Sequence, residues 1–325
     1  MVNILDYGAS TASNNNSPYI QAMVDAVGYF RLPTGDFKVQ DQINILPIPG
    51  VIFSGEGKEK SRLIANNMEG SNLLSFNQAN GLYRFSFRDL GVVGDSDCAF
   101  YVGQGVNQLY ETEISNSFFS SKSSNAIHIE KMFSTLLRSV DASSYNGHAF
   151  CLSGGVACSM INTYAHNVGP NKAGYRISGD MTMIATNGQD STGNTQYGVW
   201  IGHPTLYPSV RIIGSNIESF GDAAVLLDGA GGRLKLEGVI MSSRSSGDTF
   251  TCYIRNIGGA YTWNLRIDEQ TVANSGGATM IGSSLIVSRG FNSIYSRINA
   301  LNGSAKQFRN FYNTVTASLQ TISDY

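Results

Sequence analysis

Between Cys98 and Ile254 the chain repeats one short phrase: an apolar residue, a variable one, an apolar one. Its copies are Phe100/Val102, Ile127/Ile129, Phe150/Leu152, Tyr175/Ile177, Val199/Ile201, Val225/Leu227 and, more loosely, Cys252/Ile254, with successive first members 27, 23, 25, 24, 26 and 27 residues apart. Period-two alternation marks a strand with one buried face, and recurrence at this interval marks a solenoid that contributes one such strand per turn. A small residue precedes most copies (Ala99, Ala126, Ala149, Gly174, Gly198, Ala224), as a tight corner requires. A second strand begins before each phrase, at Ile114, Leu137, Ile161, Ile184, Ile213 and Leu236. Ser, Asn and Gly recur too often between these segments for a helix to persist. Coils of about 25 residues stacked at ~4.8 Å predict a rod on the order of 50 Å long.

The register of the phrase assigns side chains to the inside and the outside. Phe100, Ile127, Phe150, Tyr175, Val199 and Val225 should form one internal stack. Tyr101, His128, Cys151, Arg176, Trp200, Leu226 and Tyr253 should form an outward column. Before the repeat, residues 3–8 read as a short strand ending in a turn. Ser17 then reads as a helix N-cap with Pro18 at the first helical position, and Ile20, Met23, Val24 and Val27 make one apolar stripe up to a stop at Gly28. A helix laid over the first coil covers an open core and an unpaired strand edge. After Asn256 the period is lost; Arg289, Arg297, Lys306 and Arg309 interleave with Phe291, Tyr295, Phe308, Phe311 and Tyr312, which suits an end cap or subunit contact better than nucleic acid. The chain therefore divides into a cap and first coil (1–60), a parallel β-helix (61–257) and a C-terminal cap or subunit-contact region (258–325).

The opening carries a family resemblance. Val2-Asn3-Ile4-Leu5-Asp6-Tyr7-Gly8-Ala9, Tyr19-Ile20-Gln21-Ala22, Arg31 to Val39, Gly50 to Gly57 and Ser61-Arg62-Leu63-Ile64 resemble, in order, the start of pectate-lyase-like right-handed parallel β-helix proteins, bacteriophage tailspikes and polysaccharide depolymerases most of all. One element departs: an acidic loop of the type G-D-G-x-x-D-D-T is replaced by Ser10 to Ser17, which has no carboxylate. The fold expected is all-β, a single-stranded right-handed parallel β-helix with an N-terminal helical cap. The resemblance implies a homotrimeric virion tail protein that binds a bacterial surface polysaccharide and depolymerises it by glycosidic hydrolysis. A non-catalytic receptor-binding or structural spike is the alternative, and a polysaccharide lyase the third reading. With the motif at the start of the sequence, attachment to other virion tail proteins is expected through the cap or an adaptor.

Composition narrows the partners. Only 14% of residues are charged, 42% are hydrophobic and the net charge is -2, so neither nucleic acid nor an anionic membrane is expected. No apolar run approaches the ~18 residues of a membrane span, and the first residues lack the pattern of an export signal. Cys98, Cys151, Cys158 and Cys252 have neither metal-ligand spacing nor His partners, and read as unpaired packing or surface thiols. No metal or cofactor is expected.

Chemistry must then come from stacking, since the chain has no G-x-S-x-G, H-E-x-x-H or phosphate loop. Aligning the second strands puts Phe119, Ala142, His166, Gln189, Glu218 and Met241 together, and a one-residue slip at a corner would bring Asp141, His166, Asp190 and Glu218 into one outward column. Hydrolysis needs an acid and a second carboxylate. Asp190 and Glu218 on neighbouring coils would stand ~5 Å apart, and Asp141 and Asp190 at ~9.5 Å. These three, with His166 orienting substrate or a carboxylate, are the candidate catalytic residues; each alone could equally be a solvated corner carboxylate. Tyr101, Arg176 and Trp200 are the candidate substrate-binding residues, though their column would also suit a subunit interface.

Overall fold

The computed structural model describes residues 2–313 apart from 47, 77–80, 104–108, 154, 190–195, 244–248, 251, 258–262, 269, 275–278, 281–285, 289–290, 297–298 and 302–311, and from residue 272 onward it describes the backbone alone. Each coil supplies strands to three faces. In one mid-rod coil, Glu113–Ser121 bends at Asn116, so that 113–115 lie on the first face and 117–121 on the second, and Ile127–Ile129 follow on the third. The third face is an eleven-stranded sheet; the first two merge through the bent strands into one twenty-stranded sheet. Every pairing along the rod is parallel, so each position stacks on its equivalent one coil away. The ladders begin at Tyr29–Arg31 and still run at Tyr312–Asn313, crossing residues 60 and 257 on the way.

The bend between first and second faces is a single left-handed residue per coil. Asp89, Asn116, Ser139, Asn162 and Ala185 have φ of 61°, 45°, 52°, 51° and 50°, and Gly214 and Gly238 follow at 52° and 59°. Asn and Asp tolerate this conformation best among non-glycine residues. Their side chains also link coils: Asn116 Nδ2 donates to Asp89 Oδ1 at 2.6 Å, and Asn162 Nδ2 to Ser139 Oγ at 3.2 Å.

Inside, the expected stack is present. Phe100, Ile127, Phe150, Tyr175, Val199 and Val225 pair in register and are buried, with the rings of Phe150 and Tyr175 5.0 Å apart and nearly parallel. The buried Tyr175 hydroxyl donates to the carbonyl of Asn187 at 2.8 Å, so its polar end is satisfied. At the N-terminus the helix Ser17–Val27 buries Ile20, Met23 and Val24 and ends at Gly28, whose φ is 62°.

Four local expectations are corrected. Residues 4–7 form a 3-10 turn, because Asn3 accepts the Leu5 N–H while Asp6 accepts the Asn3 N–H. The helix N-cap is Asn16, and Ser17 instead accepts the N–H groups of Gln40 and Asp41 from the adjacent strand end. In the last phrase Val225 pairs with Ile254 and Cys252 with Ala223, so Arg255 continues the outward column and Tyr253 turns inward against Phe220. The second strands align as Ile114, Leu137, Met160, Met183, Ile212 and Leu236. Ile161, Ile184 and Ile213 therefore face outward, beside Arg138 and Glu237. The pairs Met160-Ile161, Met183-Ile184 and Ile212-Ile213 are apolar at both positions, so alternation cannot choose between them; the left-handed residues that follow (Asn162, Ala185, Gly214) do.

Candidate functional site

That register shift builds the site. On the second face the inward positions are Phe119, Ala142, Ala165, Gly188, Ile217 and Met241, which leaves His166 and Glu218 pointing outward. Two outward columns result, two residues apart along each strand. One contains Gly91, Phe118, Asp141, Tyr164, Asn187 and Asn216. The other contains Ser120, Ser143 and His166, with Glu218 pairing onward with Ser242.

His166 is flanked by two near-parallel rings, Phe118 at 6.0 Å and Tyr164 at 5.0 Å. Partial burial lowers the imidazole pKa; Asp141 opposes the shift and Lys58 adds to it. The ring is thus neutral at neutral pH and able to take a proton. Tyr164 donates to Gln189 Oε1, and burial followed by the charges of Glu218 and Asp141 raises its pKa. Glu218 accepts from Asn216 Nδ2 on its own strand.

Asp141 has a partner from far away in sequence. Lys58, in the loop between Ile52–Ser54 and Ser61–Met68, donates to Asp141 Oδ2, and both side chains are only 27% exposed. To reach it the loop crosses the second face over Gly91, where an added Cβ would lie 2.5 Å from the Lys58 carbonyl oxygen. Glycine is required there for backbone approach. The result is a trough running along five coils: Phe118 first, then Asp141 with the Lys58 cation, then Tyr164 and the neutral imidazole of His166, then Asn187, and Glu218 at the far end.

Sequence reasoning named Asp141, His166 and Glu218, and the second face holds all three. Asp190, the fourth candidate, lies outside the described residues. Tyr101, Arg176 and Trp200 are on the third face, in the outward column expected. There the Arg176 guanidinium lies 4.6 Å from the Trp200 ring centroid, whereas Tyr101 is three coils away from Arg176 and packs edge-on against His128 at 5.3 Å. Arg176 Nη1 and Trp200 Nε1 are buried with no hydrogen-bond partner among the described residues. Lys58, Phe118 and Tyr164 were missed. Tyr164 was legible, since it sits two residues before His166 on one strand; nothing local connects Lys58 with Asp141.

No family model and no curated protein matches the chain. Solved structures do match in shape. The A-module of mannuronan C-5 epimerase AlgE4 of Azotobacter vinelandii aligns over 99% of this chain and 100% of its own, with TM-score 0.65 and 14% identity. The DFA-IIIase of Arthrobacter chlorophenolicus A6, solved without its lid in complex with GF2, aligns over 99% and 98%, with TM-score 0.60 and 11% identity. The gp42 tailspike of Acinetobacter phage vb_AbaP_AS12 aligns over 98% of this chain and 66% of its own, with TM-score 0.54 and 12% identity. The chain has the right-handed β-helix fold. At these identities the likeness is one of fold. No helix among the described residues of this β-helix is long and apolar enough to cross a membrane.

Proposed function

We propose that this β-helix is a bacteriophage tailspike-like protein, a homotrimer at the virion tail that binds a bacterial surface polysaccharide along its second face and depolymerises it by glycosidic hydrolysis. One observation carries the reading: Tyr164 and His166 stack as flat rings between the carboxylates Asp141 and Glu218, and the Phe118 ring, one coil before Asp141, lies near-parallel to His166. Rings beside acids are what a pyranose chain and its cleavage need. The opening motifs and the shared fold with a phage tailspike support the assignment. Arg176 and Trp200 are assigned a further sugar contact on the third face, with Tyr101 beyond them.

Spacing limits the chemistry. Asp141 and Glu218 are three coils apart, about 14 Å at ~4.8 Å per coil, which exceeds both the retaining and the inverting separation. Hydrolysis therefore assigns one of the two roles to Asp190, with Glu218 or Asp141 in the other and His166 as the orienting group. The amide variants Asp141→Asn, Asp190→Asn and Glu218→Gln test this on purified host capsule. Asp190→Asn and one of the other two should each lose at least about 10²-fold in release of new reducing ends. Full activity in Asp190→Asn would remove hydrolysis by this site.

Lys58 favours a second reading, a polysaccharide lyase. A cation beside a neutral imidazole and a phenol can neutralise a sugar carboxylate while His166 takes the proton from the adjacent carbon, the glycosidic C–O bond beyond it breaks and the Tyr164 phenol protonates the leaving oxygen. In that case the same assay yields unsaturated uronate absorbance, and Lys58→Met and His166→Gln are the inactive variants. A spike that binds capsule without releasing either product is the non-catalytic alternative.

A further inference from the structure

We infer that a polar cavity on the first face, one corner away from Asp141, is a subsite for the anionic substituent of an acidic sugar. The inference rests on the reading that polysaccharide lies along the second face, and it names the class of glycan.

The cavity has a volume of about 410 Å³ and is walled by Arg88, Arg138, Glu113 and Ser115, with Asp89 and Asn116 at the corner. Arg88, Ser115 and Arg138 occupy one outward column on three successive coils. The two arginines thus flank a notch floored by the small Ser115, with their backbones about 9.5 Å apart at ~4.8 Å per coil. Guanidinium groups carry only donors, in a planar fork that matches a carboxylate, sulfate or phosphate.

Within the cavity, charge pairing distinguishes Arg88 from Arg138. Arg31, Arg62, Arg84, Arg138, Arg211 and Arg255 each have a carboxylate partner. In the cavity Glu113 Oε1 accepts from the Arg138 cation at 2.6 Å; Asp89 Oδ1 accepts from the neutral Asn116 amide at 2.6 Å, a bond that leaves Asp89 its charge but holds it at the corner, in no ion pair with Arg88. Arg88 has no carboxylate partner among the described residues and is exposed. A cation left unpaired in a polar notch is complementary to an anion from outside.

Position ties the notch to the cleavage trough. Asn116 and Ser139 are the left-handed corner residues, and Phe118 and Asp141 come two residues after them on the same strands. From Arg138 to Asp141 is about 10 Å along the strand. A glycan crossing the corner would present one sugar to the arginines and a later one to Asp141.

The test uses the full chain and capsular polysaccharides purified from a panel of encapsulated strains, each in native, carboxyl-reduced and dephosphorylated form. Wild-type protein should bind acidic capsules and lose them when the acid group is removed, and which treatment abolishes binding identifies the group. Arg88→Gln should weaken binding of the acidic capsule at least about tenfold, with Arg88→Lys recovering part of it and the thermal midpoint unchanged. Equal binding of native and treated capsules, binding of neutral capsules alone, or wild-type affinity in Arg88→Gln would each overturn the subsite while leaving the polysaccharide reading intact. Binding of no capsule by wild-type protein would overturn both.

Discussion

His148 lies at the corner before the third face, its ring edge-on to Trp200 at 5.8 Å and its Nδ1 accepting the Ala173 N–H at 2.9 Å. That acceptor role requires an unprotonated Nδ1, and burial drives the pKa down to about 3. In the unfolded chain the same imidazole titrates near ~6.5. Between those values the unfolded state binds a proton that the folded state refuses, so this stability is complete above pH ~6.5 and falls as the pH drops toward 3. His148→Gln should flatten the acid limb of urea stability measured from pH 7 to 4; an unchanged slope would contradict the account. In the core, Phe150→Ala should cost about 3–5 kcal/mol, because rigid parallel neighbours cannot collapse into the space. Chemical denaturation reads that difference, and a cost below about 1 kcal/mol would mean the stack relaxes. At the loop crossing, Gly91→Ala forces the Lys58 carbonyl away and should separate Lys58 from Asp141. A crystal structure of that variant should show the Lys58 to Asp141 ion pair broken; an intact pair would contradict the account.

At the scale of elements, the one-residue bends decide what reaches the surface. The third face was legible because its phrase has a polar or variable residue between two apolar ones, which fixes the inside without ambiguity; Phe100, Ile127 and Phe150 follow directly. The first face was not, because adjacent apolar residues such as Met183 and Ile184 fit either register, and the deciding left-handed residue can be Asn, Ser, Ala or Gly. That one-residue uncertainty is what separated His166 and Glu218 from their true outward column. The Lys58 contact was illegible for another reason: it spans 83 residues and depends on a loop path. The bends themselves are testable. Asn162→Val places a β-branched residue at φ 51° and should destabilise by about 1–2 kcal/mol, whereas Asn162→Gly should be close to neutral. Equal losses in both would show that the Asn162 to Ser139 hydrogen bond, not the backbone, holds the corner.

For the whole molecule, stacked coils present long faces and small ends, so both partners proposed for it, glycan and sister chains, meet it along its sides. Ile161, Ile184 and Ile213 form an outward apolar column at mid-rod on the first face, and association there would remove it from water. Sedimentation at micromolar concentration should give a trimer, and Ile184→Asp should shift it toward monomer; a wild-type monomer would contradict the assembly. The central claim is that the second face is where sugar is held. A crystal structure of the chain soaked with capsule oligosaccharide tests it most directly. Sugar rings should lie over Phe118, Tyr164 and His166, with a glycosidic oxygen within reach of Asp141 or of Glu218. Sugar bound only along Arg176 and Trp200 on the third face, with the trough empty, would contradict it.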